Sequence, residues 1–210
     1  PFVELNPYRE VLSKANEFVG YLPNAETVEP DTKLGLDDMF ELVRKADEDY
    51  RTLQEKKEKL KQKIEEYRAK QQIVAPFRPL ECDLHRVLHY RYITYRFGRI
   101  AVEFYHKMQK YLMDDLKAIF VEGERDESYV YGVYFVSQAE TQKVDAVFRS
   151  LHFERIELKD EFEGTPDTAY RVLENEIARV NLEIEDLDKQ AGEMLADRAP
   201  QLVAARDRLE

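Results

Sequence analysis

The sequence is poor in the residues that build small catalytic and metal-binding sites. It contains one cysteine, no tryptophan and seven glycines among 210 residues. The single Cys82 excludes an internal disulfide and suits a reducing compartment. The few glycines form neither of the phosphate-binding patterns G-x-x-x-x-G-K-[ST] and G-x-G-x-x-G, nor the G-x-S-x-G elbow of hydrolases. We therefore predict no catalytic residues and no cofactor.

Long apolar runs are lacking as well. No stretch approaches the roughly 18 apolar residues that a membrane-spanning helix needs, and no signal-peptide pattern is present. The net charge of −11 disfavours nucleic acid and anionic lipid as partners, because both require a basic surface. The sequence begins with Pro1 and ends inside a charged helical pattern, so we expect a fragment of a longer protein.

Charged residues make up 36% of the chain and concentrate in two long helical patterns. In both, apolar residues alternate spacings of three and four, which is the repeat of a coiled-coil seam. The outgoing arm is predicted over residues 36–75 and the return arm over 165–198, which opens with Thr165 as cap and a first-turn proline. Lys57 and Gln71 are polar seam positions that can help to fix the register. The other seam residues are Met39, Val43, Ala46, Tyr50, Leu53, Leu60, Ile64 and Tyr67 in the outgoing arm, and Leu173, Ile177, Val180, Ile184 and Leu187 in the return arm.

The two arms bracket an insertion at residues 76–164. If its ends lie close together, the arms must run antiparallel, which predicts a two-helix stalk with a lobe at its tip. The predicted strands of the lobe are residues 86–97, 116–123, 129–136 and 153–158. Helices are predicted after the first strand and after the third, where Ser137 and Glu140 form a capping box. The order βαββαβ is the ferredoxin-like split motif, so the predicted class is α+β.

The third predicted strand, YVYGVYFV, lies where an RNA-recognition domain carries its base-stacking aromatics. It lacks the basic–glycine pair that leads the RNA-binding pattern. Residues 86–158 are neutral, with eleven Lys or Arg and eleven Asp or Glu. One face of this sheet must cover the two helices, and we expect the other to meet a protein partner. The candidate partner residues are Tyr129, Tyr131, Phe135, Tyr90 and Tyr92.

One group of residues has a spacing that could hold zinc. Cys82, His85 and His89 form the pattern C-x2-H-x3-H. A structural zinc site requires four ligands, usually with a second paired cluster. His106 and His152 stand alone and no second cysteine exists, so we predict no metal site.

Three segments together resemble a known family: FVEGERDESYVYGVYF, SLHFERIEL and GTPDTAYRVLENEI. They resemble the cytoplasmic N-terminal region of subunit I, the bacterial and archaeal counterpart of eukaryotic subunit a, in V-type and A-type rotary ATPases. The matching stretch covers about residues 117–187. The placement of helical arms around a βαββαβ lobe resembles that family over nearly the whole chain.

The resemblance implies a non-catalytic component of the stator. Such a component links the membrane ion-channel subunit to the peripheral stalks and resists torque during proton or sodium transport, on the cytoplasmic side of the membrane. Residues 1–35 and 199–210 would be parts of an incomplete proximal lobe, and residues 76–164 the distal lobe. The implied partners are the peripheral-stalk heterodimers, the central-stalk cap subunit near the proximal lobe, and a membrane domain that this sequence does not contain.

Two alternatives remain open. The lobe could be a nucleic-acid-binding domain, like an RNA-recognition domain, on a helical stalk. The chain could also be a generic coiled-coil tether of another assembly.

Overall fold

The computed structural model describes residues 7–159 and 161–209, which divide into two compact units. Unit 1 contains the described residues up to Lys63 and from Arg179 onwards, and unit 2 is Ile64–Ala178. Both boundaries fall inside long helices, whereas the sequence predicted divisions at the ends of those helices. Within the described ranges, no helix combines the length and the apolar character needed to cross a bilayer.

Seven α-helices and four strands occur in the described part of the chain. The helices are α1 (Pro7–Gly20), α2 (Leu36–Val74), α3 (Leu84–Leu88), α4 (Val102–Asp114), α5 (Thr141–Ser150), α6 (Pro166–Asp197) and α7 (Ala199–Leu209). The strands are β1 (Ile93–Ala101), β2 (Ala118–Arg125), β3 (Tyr129–Ser137) and β4 (Glu154–Arg155). This content is α+β, as predicted.

The ends of the two long helices follow from local signals. Helix α2 is rich in Lys, Glu, Gln and Leu, which favour helices, and it ends shortly before Pro76. Helix α6 begins at Pro166, and the Thr165 hydroxyl accepts a hydrogen bond from the Thr168 amide over 3.2 Å. Gly164 precedes this cap with a φ of 72°, a left-handed conformation that favours glycine. Helix α6 thus begins at the Thr165-Pro166 signal noted in the sequence.

The core of unit 1 forms where α1, the first turns of α2, the end of α6 and α7 meet. Phe18 of α1, Met39 of α2 and Leu202 of α7 are fully buried in it. Asp49 of α2 accepts a 2.7 Å ion-pair hydrogen bond from Arg198, which joins α6 to α7. Helix α7 holds Pro200 in its first turn, where the missing amide hydrogen has no intrahelical partner.

Within each unit, α2 and α6 run antiparallel. In unit 1, Asp49 pairs with Arg198, and further along α2 Lys57 Nζ lies 2.6 Å from Asp188 Oδ1. In unit 2, the Gln71 side-chain amide donates to the Glu174 carboxylate over 2.6 Å. The residues predicted to form the seam divide by burial. The buried ones are Met39, Val43, Ala46, Ile64, Leu173, Ile177 and Val180, and the half-buried ones are Tyr50, Leu53, Leu60, Tyr67, Ile184 and Leu187.

The four strands of unit 2 form one sheet in the order β2-β3-β1-β4, with every neighbouring pair antiparallel. This order, with helices after β1 and β3, is the ferredoxin-like arrangement predicted from the sequence. On one face of the sheet, α4 and α5 bury a cluster that includes Met108, Val144 and Phe148. The opposite face packs against the end of α2, α3 and the start of α6, through residues such as Phe77 and Leu84.

Three local predictions were wrong. The strand predicted from residue 86 begins at Ile93, because Asp83 caps helix α3 by accepting a hydrogen bond from the Arg86 amide over 3.1 Å. The strand predicted over 153–158 is reduced to β4, beyond which the Ile156 amide still donates to the Phe97 carbonyl oxygen over 2.8 Å. Ser137 makes no side-chain cap, and a short 3-10 helix, Gln138–Glu140, precedes α5.

A close approach between backbones joins β2 to the segment that follows α2. A Cβ atom added at Gly123 would lie 2.6 Å from the Pro76 carbonyl oxygen and 3.3 Å from that of Tyr131. Only glycine leaves room for such an approach. The neighbouring Phe77 ring meets the Phe97 ring edge-on, with 5.2 Å between centroids. The exit from α2 is therefore packed directly on the sheet.

Candidate interaction surface

Strand β3 presents a different set of residues to each face of the sheet. Val130, Tyr134 and Val136 belong to the cluster under α4 and α5. Tyr131 and Phe135 lie on the opposite face beside the buried Val133. The alternation follows from the two-residue period of a strand. Each face of the sheet is therefore lined by a different set of side chains.

The face under α4 and α5 holds a polar cluster around the buried Tyr134. Its ring stacks on Phe148 with 3.8 Å between centroids, and its hydroxyl donates to Asp145 Oδ1 over 2.6 Å. Asp145 Oδ2 also accepts from Arg96 at 3.3 Å and from Arg155 at 3.1 Å. Burial, followed by the hydrogen bond to Asp145, raises the pKa of the Tyr134 hydroxyl. This cluster ties α5 to β1, β3 and β4.

The opposite face was expected to be left for a partner, but much of it packs against the chain itself. Val133 and Phe97 are buried there against Phe77, and Tyr131 and Phe135 are half-buried at its margin. The segments that cover the face lie before β1 and after β4 in the sequence. The surface available to another molecule is therefore smaller than the sequence predicted.

Tyr129 lies at one end of this face, and the guanidinium group of Arg99 lies over its ring. The Arg99 guanidinium carbon sits 3.9 Å from the centre of the Tyr129 ring. Arg99 Nε donates to Glu154 Oε2 over 2.6 Å, and Nη1 lies 3.4 Å from the Tyr131 hydroxyl. One side of the Tyr129 ring is thus occupied by a guanidinium whose charge is balanced by a carboxylate.

An apolar area remains uncovered at the β2 side of the sheet, and we call it the open patch: Ile93, Ile119, Val121 and Phe135. Ile119 is opposite Phe135 in the sheet register, and Ile119 is 67% exposed. Ile93, Ile119 and Phe135 line a shallow hollow of about 450 Å³. β2 ends the sheet on this side, so its outer edge has no neighbouring strand among the described residues. Exposed apolar side chains on an edge strand are typical of a contact surface.

The structure separates the five aromatic residues predicted for the partner face. Tyr90 and Tyr92 are exposed but lie in the loop before β1 rather than on the sheet. Phe135 belongs to the open patch, and Tyr129 and Tyr131 lie beside Arg99. Their contact with a partner stays a prediction.

Sequence reasoning missed three residues of the open patch: Ile93, Ile119 and Val121. The signal was present in the segment AIFVEG, where Ile119, Phe120 and Val121 place apolar groups on both faces of β2. An edge strand usually carries polar or charged residues on its solvent face. Two apolar residues there could have indicated a contact surface.

The C-x2-H-x3-H residues do not converge on a metal position. The His85 and His89 rings pack with 4.6 Å between centroids, and His89 Nδ1–H donates to the His85 carbonyl oxygen over 2.7 Å. Cys82 is half-buried, and burial raises the pKa of its thiol. Over residues 7–159 and 161–209, no three His, Cys, Asp or Glu side chains come close enough together to hold a metal ion.

Comparison with known proteins finds a solved structure with a similar fold. No protein-family model and no curated protein sequence matches the chain. The structure is similar to the crystal structure of the cytoplasmic N-terminal domain of subunit I, homolog of subunit a, of V-ATPase. The TM-score is 0.55 at 14% sequence identity, and the match covers 98% of this chain and 69% of the other. The resemblance identified from the sequence thus extends to the fold, which this chain shares with that V-ATPase domain.

Proposed function

We propose that this chain is a non-catalytic part of the stator in a rotary ATPase of the V or A type. The observation that carries the proposal is the likeness of fold, over 98% of the chain, to the N-terminal domain of V-ATPase subunit I. In this role the chain lies on the cytoplasmic side of the membrane. It connects the ion-channel subunit to the peripheral stalks and resists torque during proton or sodium transport.

Cross-helix contacts support a mechanical role. In unit 1, Asp49 and Arg198 pair over 2.7 Å, and in unit 2 Arg78 Nε lies 2.9 Å from Asp167 Oδ1. The Arg78 guanidinium also stacks on Tyr170, 4.0 Å from the ring centre. These pairs tie α2 and the segment after it to the two ends of α6, and a stator needs such resistance to sliding more than it needs a reactive group.

The open patch is the surface that we assign to the peripheral-stalk heterodimer. Its exposed Ile119 and Val121 offer apolar area, and the nearby Lys117 can contribute to a polar rim. Contact with the central-stalk cap subunit is assigned to unit 1, which contains the residues that the sequence ascribed to the proximal lobe.

A binding measurement tests the assignment. The double substitution Ile119→Asp and Val121→Asp should weaken binding to the peripheral-stalk heterodimer of the same organism by at least about tenfold, since it places charge in an apolar contact. Val172→Asp, at an exposed valine of α6 in unit 2, is the matched control and should bind like the wild type. Unchanged affinity of a folded double variant would contradict the assignment.

Two further assays separate this proposal from its alternatives. The isolated chain should show no ATP turnover, and robust turnover would contradict a non-catalytic role. It should also leave single-stranded RNA unshifted in a gel at moderate salt, because Arg99 and Glu154 already occupy the surroundings of Tyr129. A salt-sensitive shift would favour the nucleic-acid-binding alternative.

A further inference from the structure

One surface segment of unit 2, leading into β1, carries positive charge and no negative charge. Residues 84–102 contain four arginines and two histidines but no Asp or Glu, in a chain whose net charge is −11. We call the exposed part of this segment the basic strip. It comprises the outward side of α3 and the loop after it: His85, Arg86, His89, Tyr90, Arg91 and Tyr92.

The four arginines of this segment divide into two pairs. Arg96 and Arg99 lie on β1 and pair with carboxylates of the lobe over 3.3 and 2.6 Å. Arg86 and Arg91 are exposed, and neither forms an ion pair with any residue in the described ranges. The basic strip therefore presents two guanidinium groups that no carboxylate of these ranges neutralises.

The backbone of the strip is fixed at both ends. Leu84, at the start of α3, is fully buried, and its amide donates to the Gly164 carbonyl oxygen over 2.8 Å. At the other end, the Gln138 amide donates to the Tyr92 carbonyl oxygen over 3.1 Å. A surface that is ordered before binding loses little conformational entropy on association.

Two tyrosines accompany the unpaired arginines. Tyr90 is 47% exposed and Tyr92 is 73% exposed. Tyrosine and arginine are enriched in protein interfaces and are among the residues that contribute most to binding energy there. This pair of residue types favours a protein as the partner of the strip.

Carboxylates border the strip and limit the size of an acidic partner. Glu81, Asp83 and Glu163 lie at the end where α3 begins, and Glu140 lies near the other end, 4.0 Å from Lys117. A long polyanion such as RNA, or a flat anionic membrane, would be brought against these carboxylates. A short acidic segment can bind the arginines without meeting them.

We propose that the basic strip binds a short acidic segment of a partner protein. Arg86 and Arg91 pair with the carboxylates of that segment, and Tyr90 and Tyr92 pack against its apolar groups. The strip adjoins the open patch at Ile93 but recognises charge, whereas the open patch offers apolar area. This inference goes beyond the stator role and does not rest on it.

Fluorescence anisotropy with the whole 210-residue chain tests the proposal. The probe is a labelled peptide of about eight residues, with a few consecutive glutamates flanked by leucines. At about 50 mM salt the wild type should bind it with a Kd below about 1 mM, and added salt should weaken the binding. A peptide with glutamines in place of the glutamates should not bind. A wild type that fails to bind the acidic probe would overturn the proposal.

Charge substitutions locate the binding. Arg86→Gln with Arg91→Gln should weaken binding of the probe by at least about tenfold. Lys107→Gln with Lys110→Gln, at exposed sites on α4, is the matched control, since it changes the net charge equally and should bind within about twofold of the wild type. Equal losses in both variants would show that only overall charge matters, and the proposed site would be wrong.

The tyrosines give a test that overall charge cannot imitate. Tyr90→Ala with Tyr92→Ala leaves every charge in place and should weaken binding by at least about fivefold. Tyr111→Ala, at an exposed tyrosine of α4, should bind like the wild type. Circular dichroism checks that each variant is folded. A folded Tyr90 and Tyr92 variant with unchanged affinity would rule out the proposed contact with a protein segment.

Two other anionic probes distinguish the alternatives. Single-stranded oligouridine and vesicles that contain phosphatidylserine should each bind at least about tenfold more weakly than the acidic peptide at the same salt, because both extend over the bordering carboxylates. Tighter binding of oligouridine would identify the strip as a nucleic-acid site. Tighter binding of the vesicles would identify it as a membrane contact, and either result would overturn the proposal.

Discussion

Gln71 donates from its side-chain Nε2 to Oε2 of Glu174 over 2.6 Å, and this bond joins α2 to α6 inside unit 2. The same Nε2 lies 3.4 Å from the Tyr170 carbonyl oxygen. Gln71 is 7% exposed, although it occupies a position that the heptad pattern reserves for apolar residues. A buried amide with two partners on the facing helix favours one pairing of the helices over shifted ones.

Removing that amide should destabilise the protein. We expect Gln71→Ala to lower the free energy of unfolding by about 1–3 kcal/mol, because both contacts to α6 are lost and a gap is left. Urea unfolding followed by circular dichroism measures the change. Gln72→Ala, at the exposed neighbour, is the control and should stay within about 0.5 kcal/mol of the wild type. Equal losses for both variants would contradict this role of Gln71.

The core of unit 1 provides a second prediction. Leu202 of α7 is fully buried, so Leu202→Ala should cost about 2–5 kcal/mol through lost contacts and a residual cavity. Leu182→Ala removes the same atoms from an exposed site of the same unit and should cost less than about 0.5 kcal/mol. If the two variants unfold at the same urea concentration, α7 does not pack as the structure has it.

Gly123 provides a third prediction. Gly123→Ala should lower stability by about 1–3 kcal/mol, because the new methyl group would overlap the Pro76 carbonyl oxygen. Gly192→Ala, in α6, has open space around the new atom and should raise stability by up to about 1 kcal/mol. The test compares thermal unfolding of the two variants. A stabilised Gly123→Ala protein would show that β2 and the segment after α2 are not in close contact.

A fourth prediction concerns alkaline pH. The pKa of Tyr134 is raised in the folded state by burial and by its hydrogen bond to Asp145. Above the ordinary tyrosine pKa of about 10, the unfolded chain releases this proton while the folded protein keeps it. The stabilising contribution is therefore complete below about pH 10 and is lost as pH rises towards the folded-state pKa.

Comparing urea unfolding at pH 8 and pH 11 checks the sign. Tyr134→Phe should reduce the loss of stability between the two pH values. It should not abolish that loss, since the hydrogen bond to Glu17 raises the pKa of Tyr21 to about 12. Tyr111→Phe, at an exposed tyrosine of α4, is the control and should leave the loss unchanged. A Tyr134→Phe variant that loses as much stability as the wild type would contradict the prediction.

The long helices could be predicted closely because their signals are local. The heptad spacing and the Thr165-Pro166 start gave 36–75 and 165–198, and the structure has α2 at Leu36–Val74 and α6 at Pro166–Asp197. The region around residues 84–97 failed because its aromatic and β-branched residues favour strands, while the Asp83 cap and the spacing of Leu84 and Val87 favour a short helix.

The candidate surface was only partly predictable. Alternation along β3 correctly separated its two faces, because that period is a property of the strand itself. What covers a face depends on tertiary packing, however. The covering residues Phe77 and Leu84 precede the sheet in sequence, and Phe162 follows it. Without that packing, Tyr131 was predicted to be a surface residue, and the apolar pair Ile119 and Val121 on β2 was not recognised as one.

The contact of Gly123 with Pro76 also bears on how a load would travel through unit 2. The segment after α2 rests on β2 through main-chain atoms, with no side chain between them. A long side chain can change rotamer under strain, whereas the closely packed backbone has little freedom to yield. A force along this end of α2 is therefore transmitted to the sheet through backbone contact, without side-chain rearrangement. The junction between α2 and β2 should deform little under load.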